Sequence, residues 1–281
     1  MRMNMRRRVR KKEAFTLIEL LVVIAIIAML LAILVPSLKR AKQQAHGVIC
    51  RSNLKQWGAF WNLYLTDYKN RFPDPYDANN QQVLWVGPLK PYYQGGGEEM
   101  RMCPAATKEE FLAPGWTYAW QVVPPGSPEE QFKSSYGVNN WTYDHRDRDG
   151  DGLLWGRELV YHWKRSDVNQ GTSQIPLFLD CFRWGGHPRD WRYDQPFDDP
   201  GSPHGYTALP NTYEEFFNNC LTAHEMRRFC LDRHNGSVNV LFLDMSAERV
   251  GLKQLWQLRW HKAFDTQGFR GTWPSWINKY K

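Results

Sequence analysis

Hydrophobic and polar positions divide the chain into stretches of different pattern. Residues 15–35 are almost wholly apolar, a run of 21 residues. As a helix it would extend about 30 Å at 1.5 Å per residue, enough for one membrane crossing. After Pro36 the apolar positions fall mostly three or four apart, at Leu38, Ala41, Ala45, Ile49, Trp57, Phe60, Tyr64 and Tyr68, with Lys39, Lys42, Gln43 and Arg51 between them. That period predicts one amphipathic helix, ended by Asn70 and the turn Phe72-Pro73-Asp74-Pro75. Residues 117–123, 133–138, 175–181, 238–244 and 247–252 are short, apolar or aromatic, and bounded by Pro, Gly and Asn, which predicts strands. Residues 253–264 predict a closing helix. The expected fold is α+β, with a small antiparallel sheet packed on the long N-terminal helix. The expected divisions are residues 1–14, 15–36, 37–70 and 71–281.

Charge changes this picture at one end only. The formal net charge is +7, and residues 1–14 hold Arg2, Arg6, Arg7, Arg8, Arg10, Lys11 and Lys12 against Glu13, which is +6 of it. The remaining +1 gives no motive for a nucleic-acid partner. A basic cluster immediately before an apolar span holds the N-terminus in the cytoplasm and places the rest of the chain outside. A secretory signal has an apolar region of roughly 7–15 residues followed by a small-residue cleavage site. This run is longer and ends Val35-Pro36-Ser37 without such a site, so removal after the run is not expected.

Glu19 lies inside the apolar span, where a carboxylate costs on the order of 3 kcal/mol. It is either an interfacial residue tolerated near the headgroups or a group with a function. The junction Lys11-Lys12-Glu13-Ala14-Phe15-Thr16-Leu17-Ile18-Glu19-Leu20-Leu21 resembles the class III signal of type IV prepilins and pseudopilins, in which a basic leader ends at a small residue before Phe-Thr-Leu-Ile-Glu. The resemblance implies that residues 1–14 are a leader, and that a prepilin peptidase cuts between Ala14 and Phe15 and methylates the new amino group. Ala14 stands where the family usually has glycine. Glu19 would then face the N-terminal amine of a neighbouring subunit, which compensates its charge. Pro36, the twenty-second residue after the cut, would bend the helix as it leaves the membrane, or simply end the span. The implied protein is a structural subunit of a type IV pilus-like or type II secretion filament. It would be a single-pass protein of the bacterial inner membrane with an extracytoplasmic head, assembled with copies of itself or other pseudopilins.

Further words extend the resemblance into the head. Cys50-Arg51-Ser52-Asn53-Leu54-Lys55-Gln56 resembles the C-x-x-N-L-K-Q stretch of a large group of prepilin-like proteins that carry a downstream His, nine residues, Asp and Gly. Arg71-Phe72-Pro73, Met102-Cys103-Pro104 and Ser135-Tyr136-Gly137-Val138-Asn139 fit the same group, as do His234 and Asp244 with nine residues between. Met245 stands where the group has glycine, a departure that bears on the tight turn after the strand. From about residue 183 to 230 the resemblance is absent.

The sharpest local chemistry is the stretch from Asp147 to Glu158, which fits a twelve-residue calcium loop position by position. Asp147, Asp149 and Asp151 supply oxygens at places 1, 3 and 5, Gly152 allows the turn at 6, Leu153 offers a carbonyl at 7, and Glu158 can be bidentate at 12. The competing reading is an acidic turn in which Asp and Gly favour a loop. Three carboxylates spaced by two would repel one another without a cation, so Ca2+ is the expected cofactor. A short helix is expected after the loop, at residues 158–164.

Five cysteines in an extracytoplasmic head allow at most two disulfides. Cys50 with Cys103 would tie helix to head, and Cys220 with Cys230 would close a short loop, with buried thiols as the alternative. His224 between Cys220 and Cys230 raises zinc, but no C-x-x-C or H-x-x-H spacing supports it. The eight histidines sit in no spacing that defines a catalytic family, and no nucleophile elbow, phosphate loop or metalloprotease helix is present; an enzyme is not expected. His234-Asn235-Gly236 predicts a hydrogen-bonded turn rather than a catalytic base. The 14 tryptophans leave one alternative function, a membrane-anchored module whose aromatic loops, such as residues 184–191, bind glycans.

Overall fold

The computed structural model describes residues 16–93, 98–106, 120–122, 132–188, 225–267, 273 and 275–280. The chain divides into two compact units, residues 1–42 and 43–281. Helix α1 (Leu17–Asp67) supplies the first unit and continues into the second.

In the first unit, the side chains from Leu17 to Val35 are exposed all round the helix. Among the described residues this is the one helix long and apolar enough to cross a membrane. The helix continues through Pro36. Proline lacks the N–H that would close a helical bond there, and next to it the Ser37 hydroxyl donates back to the Ile33 carbonyl at 2.6 Å.

In the second unit, α1 buries Gly47, Cys50, Asn53, Leu54, Trp57, Gly58, Trp61, Tyr64 and Leu65, a stripe at spacings of three and four. This stripe is rotated from the predicted one: Leu38, Ile49 and Tyr68 are exposed. Cys50, Asn53 and two glycines occupy the buried face, and none of them scores as strongly apolar in a periodicity. The helix ends as expected, with Lys69 and Asn70 in the left-handed region (φ 54° and 63°) and the Asn70 N–H bonded back to the Leu65 carbonyl.

The strands are β1 (Trp120–Val122), β2 (Phe132–Ser134), β3 (Tyr136–Asn139), β4 (Leu153–Leu154), β5 (Arg157–Glu158), β6 (Pro176–Asp180), β7 (Gly185–Gly186), β8 (Ser237–Phe242) and β9 (Ala247–Gly251). The central sheet has the order β7-β3-β6-β8-β9 and is antiparallel except for the parallel pair β3·β7. β1 with β2 and β4 with β5 form two-stranded ladders. The head half of α1 lies on β6 and β8. Trp57 and Trp61 pack on Phe178, with ring centroids 5.3 and 6.3 Å apart. A Cβ on Gly58 would approach Leu241 to 3.0 Å.

The single strand predicted at 133–138 is two strands, because Ser135 breaks it: β2 pairs with β1 while β3 enters the central sheet. The closing helix predicted at 253–264 shortens to one 3-10 turn, Lys253–Gln257. Leu258 turns to extended backbone (φ −80°, ψ 150°), which lets the Arg259 N–H bond the Gln174 carbonyl and buries Trp260, whose carbonyl accepts from Asn139 and Trp163. Among the described residues, Trp57, Trp61, Trp85, Trp141 and Trp260 are among the largest fully buried side chains.

Candidate functional site

At the start of α1 the Glu19 carboxylate is not isolated. Its Oε2 accepts from the Thr16 N–H and the Thr16 hydroxyl, both at 2.8 Å, and the Glu19 N–H donates to Thr16 Oγ1 at 3.2 Å. This is a reciprocal capping box, in which Thr16 and Glu19 satisfy two of the backbone groups that a helix start leaves open. The residues of the expected processing site, Ala14 and Phe15, lie outside the described residues.

The words that carry the resemblance in the head dock on one another. Asn53 donates to the carbonyls of Glu99 and Met102 at 3.3 and 3.1 Å, and Trp57 Nε1 donates to that of Met100 at 3.0 Å, so α1 clamps the segment that delivers Cys103. Ser135 Oγ accepts the Cys103 N–H at 2.6 Å. Gly137 must be glycine here, because a Cβ would come within 2.5 Å of the Arg183 carbonyl and 2.9 Å of Cys181. Arg71 pairs with Asp144, and the Phe72 N–H bonds the Lys164 carbonyl.

The His-to-Asp signature brackets β8. His234 forms a turn at its entrance, where the Ser237 hydroxyl donates to the His234 carbonyl and Asn235 and Gly236 take φ of 54° and 77°. Asp244 closes its exit by accepting from the Ser246 N–H and hydroxyl at 2.9 and 2.6 Å. Met245 adopts φ 64°, so the tight turn forms with a side chain where glycine would be unstrained.

Cys50 and Cys103 are brought together as buried thiols. With them stand His234 and Asp180, a residue that the sequence analysis missed because it closes an otherwise apolar strand. Burial works against charge on Asp180, but His234 and Arg233 hold its carboxyl well below the usual range. Burial likewise opposes the His234 imidazolium, yet Asp180 raises it to about 10. Cys50 is pushed up by burial, by its bond with Cys103 and by Asp180. Burial would raise Cys103 too, but Cys50 and His234 bring it down to about 7. Cys230 is also a buried free thiol; Cys220 and His224 lie outside the described residues.

The Asp147–Glu158 stretch is a tight loop closed by the β4–β5 pair, in which Leu153 faces Glu158. The Asp147 carboxylate accepts the Gly152 N–H at 3.2 Å and Asp151 accepts that of Leu153 at 2.8 Å. Gly150 and Gly152 both have φ 72°. Asp149 is exposed, as are Asp147, Asp151 and Glu158. The helix expected after the loop is replaced by β5 and a single 3-10 turn, Leu159–Tyr161, because Glu158 is extended (φ −62°, ψ 124°).

A family described as the prokaryotic N-terminal methylation motif matches residues 9–35. Together with the apolar start of α1 and the sheet-on-helix head, this match supports a likeness to type IV pilins. A particular relative is the type IV wide pilus major component PilA4 of Thermus thermophilus, 36% identical over 78 residues. The aligned part is 28% of this chain and 56% of that protein, so the chain spans about half the length of the curated relative it matches. No solved structure matches.

Proposed function

We propose that the chain is a structural subunit of a type IV pilus-like or type II secretion filament, cut by a prepilin peptidase between Ala14 and Phe15 and methylated at Phe15. The observation that carries this reading is the methylation motif at residues 9–35 running directly into the exposed apolar part of a 51-residue helix. An apolar helix with no cover of its own suits a membrane before assembly and a bundle of like helices after it. The leader would stay in the cytoplasm and the head outside the inner membrane.

The capping box gives Glu19 a resting state. Before assembly Thr16 occupies its carboxylate; in the filament the Phe15 amine of a neighbour would supply a full opposite charge, which is worth more in lipid than a neutral donor. Glu19→Ala tests this. The variant should still insert in the membrane, and electron microscopy should find filaments lost or greatly reduced; a normal filament yield would refute the pairing role.

The same reading places a calcium ion in the loop of Asp147, Asp149, Asp151, Leu153 and Glu158, where it would brace the head. The turn at Gly152, already bonded to Asp147, supports it.

A further inference from the structure

The cluster of Cys50, Cys103, Asp180 and His234 unites four residues from α1, the segment after the 3-10 turn Glu98–Arg101, the end of β6 and the turn before β8. One donor atom from each lies within 4.8 Å of all the others. Cys50 Sγ is 3.6 Å from both Asp180 oxygens, Cys103 Sγ is 3.4 Å from His234 Nε2, and His234 Nε2 is 3.2 Å from Asp180 Oδ2. An ion bonded tetrahedrally at about 2.3 Å to sulfur and about 2.0–2.1 Å to nitrogen or oxygen sets ligand–ligand edges of about 3.8 Å for S···S, 3.5 Å for S···N or S···O and 3.3 Å for N···O. The Cys50–Asp180, Cys103–His234 and His234–Asp180 separations are those edges to within about 0.1 Å, and the other three lie within 4.8 Å.

A nucleophile relay would be built differently. There the histidine turns one ring nitrogen to the nucleophile and the other to the orienting carboxylate. Here Nε2 alone faces both Cys103 and Asp180, while Nδ1 has no partner among the described residues. Two ligands meeting one nitrogen mark a common point between the four groups. All four residues are buried, Cys50 and Asp180 completely, which suits a closed structural site and leaves no open position for a substrate.

The surroundings supply donors to the ligand atoms. Tyr136 Oη donates to Cys50 Sγ at 3.3 Å, the Asn239 N–H to Asp180 Oδ2 at 2.8 Å, and Arg233 Nη1 to Asp180 Oδ1 at 3.1 Å. Such outer bonds orient metal ligands and tune their charge. Two thiolates and one carboxylate carry −3; a divalent ion and Arg233 return the buried site to zero. Paired thiolates with imidazole select zinc over calcium or magnesium, which take oxygen.

We propose that Cys50, Cys103, Asp180 and His234 form a closed tetrahedral zinc site that fastens α1 to the sheet of the head. The assignment is independent of the filament reading, since it rests on head geometry alone. Three of the ligands come from the head words of the resemblance, C-x-x-N-L-K-Q, Met-Cys-Pro and the signature histidine, so one ion gives these distant words a common physical reason.

The test uses the full chain purified in detergent without chelator, with metal measured by elemental mass spectrometry and thiols by mass after alkylation. The expected result is about one zinc per chain. Replacing zinc with Co2+ should give the intense visible bands of a tetrahedral site and a thiolate-to-cobalt charge-transfer band. His234→Gln and Cys103→Ser should lower zinc occupancy by about tenfold or more, and Cys230→Ala, whose thiol is outside the cluster, should retain it. Should the ligand variants fail to fold, the wild type still decides: stripping the ion should lower its melting temperature, and zinc alone should restore it. A Cys50–Cys103 disulfide, or two free thiols and no bound metal after incubation with zinc, would overturn the proposal.

Discussion

Replacing Arg233 with methionine tests how the head tolerates charge in its core. Arg233 and Asp180 side chains are both fully buried and 3.1 Å apart, and the guanidinium also donates to the carbonyls of Ser135 and Cys181. Methionine is of similar volume and removes these donors, leaving Asp180 in the metal-free chain a dry carboxylate supported by the Asn239 N–H, the Cys50 thiol and His234. Breaking one side of such a pair costs about 3–5 kcal/mol. For a unit of the head's size each kcal/mol is about 2–4 °C, so Arg233→Met should melt about 6–20 °C lower. Arg233→Lys keeps the charge but not the planar fork that reaches three acceptors, and should fall between. The assay is thermal unfolding followed by tryptophan fluorescence in detergent. If Arg233→Met melted within about 2 °C of the parent, the claim that Asp180 is a charged, dry group needing this partner would be wrong.

Two further outcomes are expected. Burial lowers the His187 imidazole to about 4 despite Glu225, and burial lowers His162 as well. Both folded pKa values lie below the unfolded value, so the unfolded chain binds more protons below about pH 6.5, and these groups make stability fall as pH drops, for His187 down to about pH 4. For His187 alone the shift is worth about 3 kcal/mol; His187→Gln should flatten the dependence of melting temperature on pH between 6.5 and 5, and an unchanged slope would refute it. A calcium-selective chelator should lower the melting temperature, an effect that Glu158→Gln should largely abolish; equal melting with calcium and chelator would remove the calcium ion from the account.

The membrane-length run and the end of α1 were legible because a 21-residue apolar stretch and the stop Asn70-Arg71-Phe72-Pro73 leave few alternatives. Strands β6, β8 and β9 were legible for a similar reason, as short apolar segments between turn residues. The face of α1 was not, since its buried stripe runs through Cys50, Asn53 and two glycines, residues chosen for close approach and bonding instead of hydrophobicity. The break at Ser135 follows from its bonds to Cys103 and Cys181, partners that no local pattern contains. The Cys-Asp-His cluster escaped for the same reason: its members are separated by 53, 77 and 54 residues, and the short spacings that announce metal sites in sequence are absent. The sequence left Cys50 and Cys103 open between a disulfide and buried thiols, and no local spacing joins them to Asp180 and His234.

The central claim is that this chain enters a filament after its leader is removed and its new N-terminus modified. Intact-mass and N-terminal peptide analysis of the protein isolated from its own cells tests this directly. The account predicts a chain that begins at Phe15, lacks residues 1–14 and carries one methyl group on the Phe15 amine. A chain that retains the Arg2–Ala14 leader, with no cut before Phe15, would contradict it.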